Sequence, residues 1–272
     1  MKTYITYIVF MIFIALSSCT KESENEPEDP TKGLVKLGET YAKGASMKIE
    51  LWSTTALSTG YNKMYLRAYD SLTNNLLDNG VFKIQPLMVM KMESQQMTHA
   101  APSENPDHVK TENGLFPVAV VFTMPSTGES GQWNLSLEAQ KNPGSEIGKA
   151  IFPLTVISSD PSRVKNLKTV NGTNFIISYL PVKSKVGINE IEFMVFYKQD
   201  MMNYPAAEDF TIKMTPKMPS MGHGSPNNVN PVHIGKGHYK GSVNFTMTGE
   251  WRINLELTAK GETTNTYFDV NF

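Results

Sequence analysis

Trp251-Arg252-Ile253-Asn254-Leu255-Glu256-Leu257 places apolar residues at every odd position and polar residues at every even one. A period of two marks a strand with one face on a core and the other in water, because successive side chains leave opposite sides of the backbone. The same alternation runs through Ser242-Val243-Asn244-Phe245-Thr246-Met247, Ile191-Glu192-Phe193 and Met47-Lys48-Ile49-Glu50-Leu51. No segment beyond the N-terminal apolar run carries an apolar stripe at helical spacing. Turn-forming residues separate the strands, as in Ser126-Thr127-Gly128-Glu129-Ser130-Gly131 and Ala259-Lys260-Gly261-Glu262. Short antiparallel connections follow.

The opening stretch has a twin. Trp133-Asn134-Leu135-Ser136-Leu137-Glu138 matches Trp251 to Glu256, and Val120, Phe122, Thr123 and Met124 match Val243, Phe245, Thr246 and Met247. Upstream, Phe82-Lys83-Ile84 pairs with Phe210-Thr211-Ile212, Met97-Thr98-His99 with Met221-Gly222-His223, Pro102 with Pro226, and Asn105-Pro106-Asp107-His108 with Asn230-Pro231-Val232-His233. The offset stays between 118 and 128 residues throughout, so the chain holds a duplicated domain. Six or seven short strands in about 115 residues suit an immunoglobulin-like sandwich. The expected architecture is all-β: two tandem, superposable immunoglobulin-like antiparallel β-sandwiches over residues 33–158 and 163–272. Ser158-Ser159-Asp160-Pro161-Ser162 is the expected linker.

Met1-Lys2-Thr3, an apolar run from Tyr4 to Leu16, and Ser17-Ser18-Cys19 form a secretory signal over residues 1–18, too short to span a bilayer comfortably. Leu16-Ser17-Ser18-Cys19 resembles a lipobox, and Cys19 is the chain's one cysteine. Cys19 is therefore the expected lipidation site, anchoring the protein to a membrane through acyl chains. Residues 19–32 then form a tether, in which Thr20 to Pro30 holds five carboxylates and no apolar residue. Thr20 after the cysteine resembles outer-membrane sorting, so the expected location is an outer-membrane lipoprotein, periplasm-facing or surface-exposed. Without a second cysteine there is no disulfide and no thiolate metal site. A net charge of −1 gives no reason to invoke nucleic acid.

All five histidines fall in two matching segments, MVMKMESQQMTHAAPSENPDH and MTPKMPSMGHGSPNNVNPVH with the residues just beyond it. Thioether sulfur is a soft neutral ligand suited to Cu(I), and imidazole accepts Cu(I), Cu(II) and Zn(II). Zinc is more typically given cysteine, histidine or carboxylate. Copper is therefore the expected ligand, held by Met97, His99 and His108 in the first unit and by Met218, Met221, His223 and His233 in the second. Met90, Met124 and Met247 are further candidates. Plain packing is the competing account for Met88, Met90 and Met92, which share one strand face, and for Met124 and Met247, which continue inward-facing series. Met97-x-His99 and Met221-x-His223 read as loop residues, the second pair better placed because Gly222 and Gly224 flank His223. His238 matches Leu115 and reads as a surface residue outside the shared pattern.

Pro219, Met221, His223, Gly224, Gly237, Tyr239, Phe245, Met247, Gly249 and Trp251 together resemble the YtkA-like family, small exported β-sandwich domains similar also to the periplasmic part of FixH-type proteins. The likeness covers about 80 residues of the second unit; in the first, Ala100 stands where the second has Gly224. The resemblance implies an envelope setting and, by association, copper-handling or oxidase-maturation partners. No HExxH, P-loop, GxSxG or paired acidic motif points to catalysis. Two functions are thus expected of a non-enzyme: binding or buffering copper through Met/His loops, or presenting tandem sandwiches to a protein or glycan partner.

Overall fold

The computed structural model describes residues 29–92 and 95–272. The expected signal peptide, Cys19 and residues 19–28 of the expected tether lie outside the described residues. The first repeat forms β1 (Val35–Ala42), β2 (Met47–Ser53), β3 (Gly60–Asp70), β4 (Val81–Met92), β5 (Gln95–Ala100), β6 (Ser103–Glu104), β7 (Phe116–Phe122), β8 (Gly131–Gln140) and β9 (Gly148–Leu154). The second forms β10 (Val164–Lys168), β11 (Asn174–Leu180), β12 (Gly187–Tyr197), β13 (Thr211–Lys217), β14 (Val229–Gly235), β15 (His238–Phe245), β16 (Glu250–Ala259) and β17 (Glu262–Asn271). There are more strands than the sequence suggested, because short edge strands carry little periodic signal.

The two repeats share one topology. Sheet order β1-β2-β3-β7-β6 recurs as β10-β11-β12-β15-β14, and β5-β4-β8-β9 recurs as β13-β16-β17. What stands for β5 in the second unit is a single bridge, Lys217 to Gly224. All ladders between these strands are antiparallel, as alternation required. On β16, Trp251, Ile253, Leu255 and Leu257 are buried while their neighbours face outward. They lie in rows with Met214 and Ile212 on β13 and Val270 and Phe268 on β17. Trp133, Leu135, Leu137 and Ala139 do the same on β8. Each pair of sheets closes on its own apolar core.

Two repeated asparagines stitch the sandwiches. The side-chain carbonyl of Asn105 accepts from Ile84 N–H at 2.7 Å, and that of Asn230 accepts from Met214 N–H at 2.9 Å. Each ties the loop or strand of one sheet to the edge of the other. Replacing either with Ala leaves a half-buried amide unsatisfied, so each substitution should cost about 1–3 kcal/mol in urea unfolding. A loss below a few tenths for both would show that water replaces the bond. A second pair escaped the sequence reading. Gly60 and Gly187 turn at φ of 99° and 100°, and Asn62 and Asn189, two residues on, bond back to both ends of the turn.

The linker is pinned rather than loose. Thr59 and Ser159 hydroxyls meet at 2.9 Å, Ser159 N–H donates to Thr59 Oγ1, and Arg163 reaches Ser58. A third apolar cluster joins Val121 of β7 to Val164, Ile176, Met194 and Phe196 on the outer face of the second unit. Within it Tyr61 N–H donates to the buried Ser178 hydroxyl at 3.0 Å, which donates in turn to Arg163 carbonyl.

His238 belongs to this joint, correcting its reading as a surface residue. Its Nε2 lies 2.9 Å from Glu104 of the first unit and its Nδ1 2.5 Å from Glu192 of the second. Burial alone would lower its pKa, but the hydrogen bonds it donates to the two carboxylates, and their charges, outweigh this and raise it from 6.5 to about 9. The hydrogen bond from His238 in turn holds Glu192 below its ordinary 4.5, against its own burial. A folded pKa above the unfolded one means the imidazolium clamp contributes fully below pH 6.5 and is lost as pH rises through about 9. The Glu192 contribution is present above pH 4.5 and lost as pH falls through its lowered value. Thermal stability should therefore fall between pH 6.5 and about 9, by roughly 1–2 kcal/mol after solvent screening. His238→Gln should flatten that profile; an unchanged slope in the variant would refute the clamp.

Candidate metal centre

The β4–β5 hairpin sets Met88 opposite His99 and Met90 opposite Met97. Residues directly opposed on antiparallel strands share a face with Cβ atoms about 4.5–5.5 Å apart. Met88 and Met90 point inward, as does the alternate set along β4, so both cross-strand pairs face the open end of the first sandwich. The next strand extends the rows: Met88 is also opposite Trp133, and Met90 opposite Gly131. A Cβ at Gly131 would collide with the Thr127 hydroxyl, so glycine is the residue that fits beside Met90 in this row. Trp133 sets the depth. Its indole N–H donates to Met124 carbonyl at 3.0 Å, and its ring meets the His99 ring edge-on at 5.4 Å.

His99 is buried, with Nδ1 3.1 Å from its neighbour's carbonyl and a buried Nε2 that has no hydrogen-bond partner. It lines a cavity of about 560 Å³ together with Met90, Met97, Met124 and Met201. The far wall comes from the second unit, including Asn174, Phe175, Lys198 and Tyr204. The donor set fits a soft monovalent ion: several thioethers and one imidazole nitrogen left without a partner. Met97-x-His99 is thus on a strand rather than in a polar loop. The residues that looked turn-like from sequence are an edge strand whose inward face meets the cavity.

His108 does not join them. It is exposed beside Val109, whose carbonyl accepts from Gly80 at the start of β4, while Met90 lies near the other end. A strand of that length separates the two by roughly 30 Å. His233 is displaced from His223 in the same way. Its ring packs on Tyr239 at 5.2 Å, and the Tyr239 hydroxyl accepts from Phe210 N–H at the opposite end of β13. Its Nε2 is 3.8 Å from Glu208 and makes no hydrogen bond.

In the second unit His223 also meets its tryptophan edge-on, at 6.1 Å from Trp251, and Trp251 Nε1–H donates to Met247 carbonyl at 3.0 Å. The frame is shared between the repeats, but the methionines around it differ. Met218 is a buried core residue whose methyl group lies against Gly249, as Met88 lies against Gly131, and its N–H donates to the His223 carbonyl at 2.8 Å. The residue two beyond Met218 is Ser220, where the first unit has Met90. Met221 is 60% exposed and Met247 38% exposed, and Met247 lies beyond the end of β15 rather than facing the core. The first unit, not the second as the sequence suggested, therefore brings more of the predicted residues to one cavity. The glycines around His223 loosen a segment that the first unit builds as a strand. Among the described residues no group of three or more His, Asp or Glu is arranged to hold a metal ion.

Met201 was missed from sequence. It sits in the β12–β13 connection, far along the chain from the Met/His segments, and only the packing of the two units brings it to His99.

Comparison with curated protein sequences finds no match. Among solved structures, the chain is similar to the adhesin InvE of Yersinia pseudotuberculosis (14% identity, 80% of this chain, 56% of that one, TM-score 0.24). It is similar also to a DUF4785 family protein of Legionella pneumophila (11%, 84%, 57%, TM-score 0.27) and to a tandem of titin immunoglobulin domains (10%, 80%, 90%, TM-score 0.19). The chain spans 56% and 57% of the lengths of the first two. Residues 168–256 match the YtkA-like family. That span runs from the end of β10 to the middle of β16 and includes Met221, His223, Met247 and Trp251. Over this span, within its second repeat, the β-sandwich chain is similar to the YtkA-like family.

Proposed function

We propose that this protein binds Cu(I), without catalysis, in the Met/His cavity at the end of its first sandwich. It does so as a lipid-anchored envelope protein, acylated at Cys19, that buffers copper or hands it to a copper-handling or oxidase-maturation partner. The observation that carries the reading is the buried, unpartnered Nε2 of His99 in a cavity lined by thioethers. A buried polar atom left unsatisfied costs about 1–3 kcal/mol, which a bound cation would offset. Thioethers favour Cu(I) over Zn(II), whose preferred partners are thiolate, imidazole and carboxylate.

The test is a chelator-competition titration of the chain carrying Cys19→Ser, which removes the one thiol. Tight uptake of one Cu(I), with far weaker Zn(II), supports the reading. No Cu(I) uptake would sink it and leave the sandwiches as a module for a protein or glycan partner.

A further inference from the structure

We propose that Met201 of the second domain is a ligand to the copper held by the first, so that the bound ion bridges the two sandwiches. This rests on the Cu(I) reading above. Three observations support it independently of the sequence motifs.

Met201 is held against the site by main chain. Its carbonyl accepts the N–H of Ala100, the residue after His99, at 2.8 Å. The contact fixes Met201 beside the end of β5, and its side chain, 40% exposed, lines the same cavity as Met97 and His99. A core-filling methionine would be buried more completely.

The turn that carries Met201 is built to hold its shape. Asp200 Oδ1 accepts from the N–H groups of Met202 at 2.6 Å and Asn203 at 2.9 Å, and its Oδ2 accepts from Asn203 Nδ2 at 2.6 Å. Side-chain capping of this kind mimics a backbone turn and orders the residues it encloses.

The corresponding turn of the first sandwich has the same construction and different cargo. There Asp70 Oδ1 accepts from Leu72 at 2.9 Å and Thr73 at 3.0 Å, but the residues after the aspartate are Ser71-Leu72 instead of Met201-Met202. Shape alone does not call for methionine at this position. The turn that faces the histidine has it, and the turn that does not face one lacks it.

A ligand set drawn from both domains makes copper affinity and the closed joint mutually reinforcing, since the ion binds fully only to the assembled arrangement. The experiment uses the intact two-domain chain with Cys19→Ser, loaded with Cu(I), and compares Met201→Ala, Met201→Leu and Met202→Ala. In the parent, copper should slow hydrogen exchange at the Ala100 amide. Both Met201 variants should lose that slowing and bind Cu(I) at least about tenfold more weakly. Leucine keeps the apolar bulk but removes the sulfur, so it separates ligation from packing. Met202→Ala should change neither readout. Parent-like affinity and parent-like protection in Met201→Leu would overturn the bridge while leaving copper binding by the first domain intact. Failure of the parent itself to take up Cu(I) would overturn the copper reading and the bridge with it.

Discussion

Trp133→Ala should destabilise the first sandwich by about 3–5 kcal/mol and abolish tight Cu(I) binding together. Trp133 is fully buried, packs on Phe122 at 5.1 Å, and spans the core between β4 and the end of β7. Removing the indole opens a large cavity, frees the Met124 carbonyl, and takes away the surface against which His99 stands. Trp251→Ala makes an equivalent hole in the second core and should cost a similar amount of stability. It should leave Cu(I) affinity nearly unchanged in whatever fraction stays folded. Denaturant unfolding read by domain-resolved hydrogen exchange, with Cu(I) titration of the folded proteins, checks both halves. Equal copper loss in the two variants would mean that the site is not confined to the first unit.

The combined Met97→Ala/His99→Ala chain should bind Cu(I) about 100-fold or more weakly than the parent, since it loses one thioether and the imidazole of the cavity. Met97 is 38% exposed, so its truncation costs little folding energy. His99 is different. It is buried against Trp133, and its loss also removes an orphaned buried nitrogen, so two effects of opposite sign meet there. The matching double change Met221→Ala/His223→Ala should leave Cu(I) affinity within about twofold, because the first site carries the tight binding. If instead the second pair governs affinity, the exposed loop holds the metal and the buried cavity is packing alone.

The alternating strands were legible because one face of each is wet: β16 and β8 follow the odd-even rule residue by residue. The joint between the units was not, although its trace is in the sequence. Phe175-Ile176-Ile177 and Phe193-Met194-Val195-Phe196 break alternation because both of their faces are covered, one by the core and one by the first domain. An unbroken apolar run in an antiparallel strand signals such two-sided burial. That Met97 and His99 belong together, lining one cavity, was readable from their recurrence. Their separation from His108 was not, because nearness along a connection says nothing about which end of a strand the chain has reached. His238 and Met201 act across the joint, with partners more than 90 residues away in the chain, and no local pattern announces either.

The most direct test is the copper X-ray absorption spectrum of the Cys19→Ser chain loaded with one equivalent of Cu(I). The account predicts a Cu(I) edge with a shell dominated by sulfur at about 2.3 Å and a single nitrogen near 2.0–2.1 Å. A shell of nitrogen and oxygen alone, or one unchanged by Met97→Ala/His99→Ala, would contradict it.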